Sequence, residues 1–216
     1  MSDSSTSQPP LDRNKVRRST LEELTNLPNM LTMMRIVLIV PVMILMLRED
    51  PKSSFYAMLL VSAAAVTDWL DGYLARTRGL ESLMGKLLDP LADKLLVMAI
   101  LIVSAELGRI PGWFVVLLLS REISVTALRA LAGQEGLTIE VVSSGKFKTA
   151  LQLCGLVGLV TWFTYPIDFG FMSSNVNFGA LGFALLVLSM VFSLMSAFTY
   201  FRRFMGAIAS QKMEQS

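Results

Sequence analysis

The sequence has no histidine, which removes the usual general base near neutral pH and any histidine-bearing metal site. Its single cysteine, Cys154, lies inside an apolar run, so neither an intrachain disulfide nor a cysteine-based metal site is available, and Cys154 reads as a packing residue. Acid–base chemistry therefore falls to carboxylates, lysine or tyrosine. Charge is scarce as well: only 17% of the 216 residues are Asp, Glu, Lys or Arg, and the net charge is +2. Nothing in that balance points to a nucleic-acid partner, and none is expected.

What the chain does have is apolar sequence. Hydrophobic residues make up 53% and the mean hydropathy is +0.57, far above an ordinary soluble domain of this size. A buried all-helical soluble core is the alternative, but several runs approach or exceed the roughly 20 residues that cross a bilayer. Reading these runs against Pro, Gly and Asp breakers gives six candidate spans: Pro28–Leu47, Ser54–Ala75, Gly85–Glu106, Pro111–Leu131, Ser143–Trp162 and Phe178–Phe201. The expected fold is thus all-α and polytopic, with six transmembrane helices in one membrane-embedded catalytic domain over residues 21–203.

Flanking segments differ in character. Residues 1–20 are expected to form a disordered polar tail, Leu21–Leu27 a short interfacial helix, and residues 204–216 a C-terminal tail. No small-residue cleavage pattern closes the first apolar run, so a cleaved signal peptide is not expected. With six crossings, the N-terminal basic cluster, Arg76, Arg78, Lys86, Lys146, Lys148, Arg202 and Arg203 fall on one side. The positive-inside bias then places both termini in the cytoplasm, with the chain multi-pass in the cell inner membrane. Arg48, Lys52 and Arg109 fall on the opposite side, so the bias is incomplete.

The chemistry concentrates in two acidic stretches. Asp68-Trp-Leu-Asp71-Gly72-Tyr-Leu-Ala75-Arg76 ends the second span, and Gly85-Lys-Leu-Leu-Asp89-Pro-Leu-Ala-Asp93 opens the third. Spacings of three and four put each aspartate pair along one helical face, and the short connector makes the two helices a hairpin. Four carboxylates converging at the cytoplasmic membrane surface repel one another unless cations neutralise them. Oxygen-only donors favour Mg²⁺, Mn²⁺ or Ca²⁺, and two such ions would clamp a pyrophosphate and stabilise a leaving phosphate oxygen. Gly72, Ala75 and Gly85 leave room for close backbone approach, by a ligand or by a neighbouring helix, and Arg76 offers a fork of donors to phosphate.

Together these residues resemble the CDP-alcohol phosphotransferase family, whose signature D-x2-D-G-x2-A-R-x8-G-x3-D-x3-D is matched at all fixed positions: Asp68, Asp71, Gly72, Ala75, Arg76, Gly85, Asp89 and Asp93. Eight fixed letters recur at a given start on the order of once in 10^10 with equal residue frequencies, so the match is specific. The resemblance implies a six-span, usually homodimeric enzyme with two divalent ions, Mg²⁺ or Mn²⁺, at the cytoplasmic face. It implies that Asp68, Asp71 and Asp89 are metal ligands and that Asp93 ligates or adjoins metal and acts as catalytic base. Gly72, Ala75, Arg76 and Gly85 would line the site for CDP-diacylglycerol. Asn29 and Thr32, one turn apart on the first span, either contact the nucleotide phosphates or cap and bond within their own helix.

A second basic set lies outside the signature, in Arg121-Glu122-Ile-Ser-Val-Thr-Ala-Leu-Arg129 and Gly145-Lys146-Phe-Lys148-Thr149. Arg121 and Arg129 are about two turns apart on roughly one face, within an apolar span where an unpaired charge is costly. Glu122 supplies one explanation of Arg121 as a structural ion pair; an anionic substrate supplies another. Lys146 and Lys148 serve either as interfacial charges that meet membrane lipids or as phosphate ligands. Both stretches, with Asn26-Leu-Pro-Asn-Met-Leu-Thr32-Met-Met-Arg35, are similar to the phosphatidylglycerophosphate-forming branch of the family. In that branch sn-glycerol 3-phosphate is the acceptor, and Arg121, Arg129, Lys146 and Lys148 would hold its phosphate. Other acceptors, such as phosphatidylglycerol in a cardiolipin synthase, inositol phosphate or serine, remain alternatives. A cation transporter is a remote one, because the carboxylates lie at one face and no pair of interrupted helices suggests inverted repeats.

The methionines read as apolar filling and Trp69, Trp113 and Trp162 as residues at the membrane interface.

Overall fold

The computed structural model describes residues 27–78, 83–134, 145–168 and 173–214; within these, the side chains of residues 27–29, 31, 68–90, 145–147, 173 and 210–214 lie outside the description. The polar tail and the interfacial helix expected before Leu27 fall outside the described residues.

Six helices account for nearly all of the described chain: α1 (Leu27–Leu47), α2 (Pro51–Arg78), α3 (Leu83–Glu106), α4 (Gly112–Gln134), α5 (Gly145–Thr161) and α6 (Phe178–Glu214). Each overlaps one predicted span. Their starts follow from local chemistry. The Ser53 amide donates to Asp50 Oδ1 at 2.9 Å, which caps α2 just as Pro51 opens it. Likewise the Ala180 amide donates to Asn177 Oδ1 at 2.9 Å and caps α6. At the end of α3, Gly108 adopts φ +68 and the Arg109 amide donates to Ser104 O at 2.8 Å, closing the helix with a left-handed glycine.

The connector between α5 and α6 departs from an all-α chain. Thr164–Asp168 (β1) and Ser173–Asn177 (β2) pair antiparallel, with Thr164 opposite Asn177 and Asp168 opposite Ser173. Along β1 exposure alternates residue by residue, as the period of a strand requires. Breakers such as Pro166 and Asn177 marked this stretch as a connector, while its strand signal was too short to stand out. Tyr165 anchors the hairpin by donating its hydroxyl to Pro51 O at 2.9 Å and by an edge-on contact with Phe178. α6 also continues past Phe201 to Glu214, through the stretch expected to be a C-terminal tail.

The helices meet around Val42 and Met46 of α1, Val61 of α2, Ile100 of α3, Leu159 of α5 and Leu186 of α6, all nearly solvent-free. α1 packs on α2 and α3, and α5 packs on α2, α3 and most extensively α6. Small residues make the last contact possible. A Cβ on Gly158 would lie 2.6 Å from Gly182 Cα, and one on Gly182 would lie 2.6 Å from Leu159 N. The two backbones therefore touch, as small-residue crossings permit.

The exterior is apolar too. Val37 of α1 is 69% exposed, Val116 of α4 65% and Met195 of α6 63%, a pattern that suits lipid better than water. By length and hydropathy, one helix among the described residues qualifies as a membrane span, Phe178–Ala209. α4 interrupts its apolar sequence with Arg121, Glu122 and Arg129, and the later part of α2 and early part of α3 carry the aspartates. These charges lower the hydropathy of the helices that bear them.

Arg109 explains one exception to the charge bias. Its Nη1 donates to Leu159 O at 3.0 Å and its guanidinium lies 5.1 Å over the Trp162 ring, tying the α3–α4 connector to the end of α5. Burial pulls its pKa below the usual arginine value, opposed by the nearby Glu49 carboxylate.

Candidate active site

The final turns of α2 carry Asp68, Asp71, Gly72, Ala75 and Arg76, and the first turns of α3 carry Gly85, Asp89 and Asp93. The signature thus occupies two consecutive helices. Of these residues only Asp93 has a described side chain; the others, with Asn29 and Lys146, are among those set aside above. Asp93 is exposed and lines a small cavity of about 30 Å³ together with Arg35 of α1, Ala64 and Ala65 of α2, Leu96 and Ile100 of α3, and Leu156 of α5. Ala65 is three residues, about one turn, before Asp68. The cavity therefore lies between α2, one turn before Asp68, and the turn of α3 that holds Asp93.

Arg35 is only 4% exposed, and Thr32, one turn earlier on α1, is 2% exposed. In the sequence Arg35 stood out only as the end of the Asn26–Arg35 stretch; buried in the cavity wall that also holds Asp93, it joins the candidate site. Among the described residues no three carboxylate, histidine or cysteine side chains converge on a metal position. Aspartate oxygens are hard donors, a chemistry that fits divalent ions such as Mg²⁺ or Mn²⁺.

The described members of the second basic set come from two helices, α4 and α5, and α6 braces them both. On α4 the Arg121 guanidinium is buried, its Nη1 donating to Glu122 Oε2 at 2.8 Å and its Nε to Ser193 O of α6 at 3.2 Å. Lys148 of α5 approaches the same Glu122 Oε2 at 3.8 Å, and its carbonyl accepts a hydrogen bond from Ser189 Oγ at 3.0 Å. Arg129 lies near enough for its charge to be felt at both Arg121 and Lys148. Two cations, Arg121 and Lys148, thus share one carboxylate, with a third, Arg129, near both of them. The Glu122 ion pair foreseen as the bland explanation of Arg121 is present, yet it leaves the cluster with surplus positive charge, which an anion can neutralise.

Lys94 was missed by sequence reasoning. It follows Asp93 directly, and its Nζ donates to Thr126 Oγ1 at 2.8 Å, while the Thr126 hydroxyl donates to Glu122 O at 2.9 Å. A lysine beside a signature aspartate was the available signal, but nothing in the sequence named its partner.

Comparison with known proteins fits this geometry. The sequence model of the CDP-alcohol phosphatidyltransferase family matches residues 25–195. The chain belongs to that family. Members of it use divalent metal ions and are associated with membranes. A Bacillus subtilis (strain 168) protein named CDP-diacylglycerol–glycerol-3-phosphate 3-phosphatidyltransferase is 39% identical over 147 residues, covering 62% of this chain and 76% of the relative. A Rickettsia bellii protein of the same name is 32% identical over 178 residues, or 82% of this chain and 94% of that one. The Escherichia coli K12 protein so named is 36% identical over 141 residues, 62% and 76% of the two chains. The family match spans every residue of both clusters.

Proposed function

We propose that this CDP-alcohol phosphatidyltransferase moves the phosphatidyl group of CDP-diacylglycerol to sn-glycerol 3-phosphate, forming phosphatidylglycerophosphate and CMP in phospholipid biosynthesis. The observation that carries the acceptor assignment is the meeting of Arg121 and Lys148 at a single carboxylate, Glu122, with Arg129 near both cations, on helices that pack beside the helix bearing Asp93. A neutral acceptor would leave this surplus charge without purpose, and the names of the relatives agree with a phosphorylated one.

In this reaction the primary hydroxyl oxygen of glycerol 3-phosphate bonds to the phosphorus that carries diacylglycerol, and the bond from that phosphorus to the CMP oxygen breaks. Asp93 takes the hydroxyl proton, and CMP departs as the phosphate anion. Arg121, Arg129, Lys146 and Lys148 hold the acceptor phosphate and so orient the hydroxyl. Gly72, Ala75, Arg76 and Gly85, with Asn29 and Thr32, receive the nucleotide end of CDP-diacylglycerol. Asp68, Asp71, Asp89 and Asp93 would hold two divalent ions, Mg²⁺ or Mn²⁺, whose charge when bound offsets that of the pyrophosphate and the leaving group.

The six helices cross the inner membrane, with residues 21–203 as the embedded catalytic domain and both termini and the active site facing the cytoplasm. The apolar exterior and the placement of the basic residues support this. Two copies assemble as a homodimer among membrane lipids. The test is CMP release by the purified protein in detergent with CDP-diacylglycerol and Mg²⁺, comparing glycerol 3-phosphate with phosphatidylglycerol, inositol phosphate and serine. Release with glycerol 3-phosphate alone is the expected result; release only with another acceptor overturns the assignment of the basic cluster.

A further inference from the structure

We propose that Lys94 is a positioning residue for the transfer: through Thr126 it fixes the helix turn of Asp93 against the cations that receive the acceptor phosphate. The inference rests on the acceptor assignment above. Asp93 and Lys94 are consecutive on α3, about 100° apart around its axis, so they address different neighbours. Asp93 lines the cavity shared with α1, α2 and α5, whereas Lys94 reaches across to α4.

The residue it reaches is well placed. Thr126 lies one turn after Glu122 and three residues before Arg129, on the part of α4 that carries the acceptor cations. Because the Thr126 hydroxyl spends its proton on Glu122 O at 2.9 Å, its oxygen lone pairs are turned to receive the Lys94 ammonium at 2.8 Å. Glu122 in turn holds Arg121 at 2.8 Å and Lys148 at 3.8 Å. Polar contacts therefore run from the residue next to Asp93 through Thr126 to the main chain of Glu122, the residue whose carboxylate meets two of the acceptor ligands. Transfer requires the acceptor hydroxyl to lie between its base and the phosphorus while its phosphate is anchored elsewhere. The separation of base and anchor is then a catalytic variable, and this link sets it.

The experiment measures kcat, the KM for glycerol 3-phosphate and the melting temperature in detergent for Lys94→Met, Thr126→Val, the double variant and Lys94→Arg. Misplacement of the base lowers kcat by about tenfold in each single variant, with KM changed by less than about threefold. The double variant falls no further than the worse single one, because both remove the same link. Lys94→Arg, which can still donate to Thr126, regains most of the turnover. A large rise in KM for Lys94→Met with Thr126→Val unaffected would make Lys94 a direct phosphate ligand and overturn the proposal. Additive losses would overturn it too, as would a lowered melting temperature with normal kcat per folded molecule. If the wild-type protein turns over only with a different acceptor, the acceptor assignment fails, and the same cycle in kcat with that acceptor still decides whether Lys94 and Thr126 act as one unit.

Discussion

Glu122→Gln separates the two roles of the basic cluster because it keeps the shape of the side chain and removes its charge. In the wild type the carboxylate lies 2.8 Å from Arg121 Nη1 and 3.8 Å from Lys148 Nζ, whose side chains are 6% and 14% exposed. A unit charge about 4 Å away is worth on the order of 4 kcal/mol at an effective dielectric of about 20. Glu122 itself is 32% exposed, so solvent screening reduces the net loss to about 2 kcal/mol. For a chain of this length that corresponds to a fall in melting temperature of roughly 4–8 °C. Glycerol 3-phosphate should then restore more stability to the variant than to the wild type, since the ligand phosphate no longer competes with a resident carboxylate. The assay is thermal unfolding in detergent with a titration of glycerol 3-phosphate, using glycerol, which lacks the phosphate, as control. An unchanged melting temperature would refute the counter-ion role, and a smaller ligand-induced shift in the variant would refute the competition.

Asp93→Asn should cut CMP release by about 10²–10⁴-fold, the range of a lost general base, while the melting temperature stays near that of the wild type. Chelation with EDTA should abolish turnover and added Mg²⁺ or Mn²⁺ should restore it, in the same CMP assay. Gly158→Ala places a methyl group 2.6 Å from Gly182 Cα, and the forced separation of α5 and α6 should cost about 1–3 kcal/mol, read as lower thermal stability. Asp50 has its pKa held below the usual aspartate value by hydrogen bonds from the Ser53 side chain and backbone. Its contribution to stability is therefore complete at neutral pH and fades as pH falls through that lowered pKa; Asp50→Asn, which still caps α2, should flatten this acid limb of the melting curve.

The helices were legible because each apolar run ends in residues that cannot continue it: Asp50 and Pro51 between α1 and α2, Gly108 and Pro111 between α3 and α4. The signature was legible because aspartates at spacings of three and four have few reasons to interrupt apolar sequence. The hairpin after α5 was not, since five-residue strands carry too little periodic signal. Nor were Arg35 and Lys94: a basic residue near a span end has many explanations. Arg35 was decided by its burial beside Asp93, and Lys94 by a contact with Thr126, 32 residues further along the chain. Sequence pattern reports the face a residue occupies, while the partner across that face depends on how helices cross.

That dependence also explains why the basic cluster is held by helix packing. Lys148 stands near the start of α5 and Arg121 near the middle of α4, and α6 touches both: Ser189 Oγ donates to the Lys148 carbonyl, and Ser193 O accepts from Arg121 Nε. Ser189 and Ser193 are one turn apart on α6, and both are buried. The position of α6 relative to α5 is fixed further along by Gly155, Gly158 and Gly182, where no Cβ could be added without meeting Leu186 or backbone atoms. A change at the glycine crossing should therefore move Lys148 relative to Arg121, although neither cation touches a glycine. Gly158→Ala is accordingly expected to raise the KM for glycerol 3-phosphate as well as lower stability, and a variant that melts early yet keeps its KM would show that the cluster is positioned by α4 and Glu122 alone.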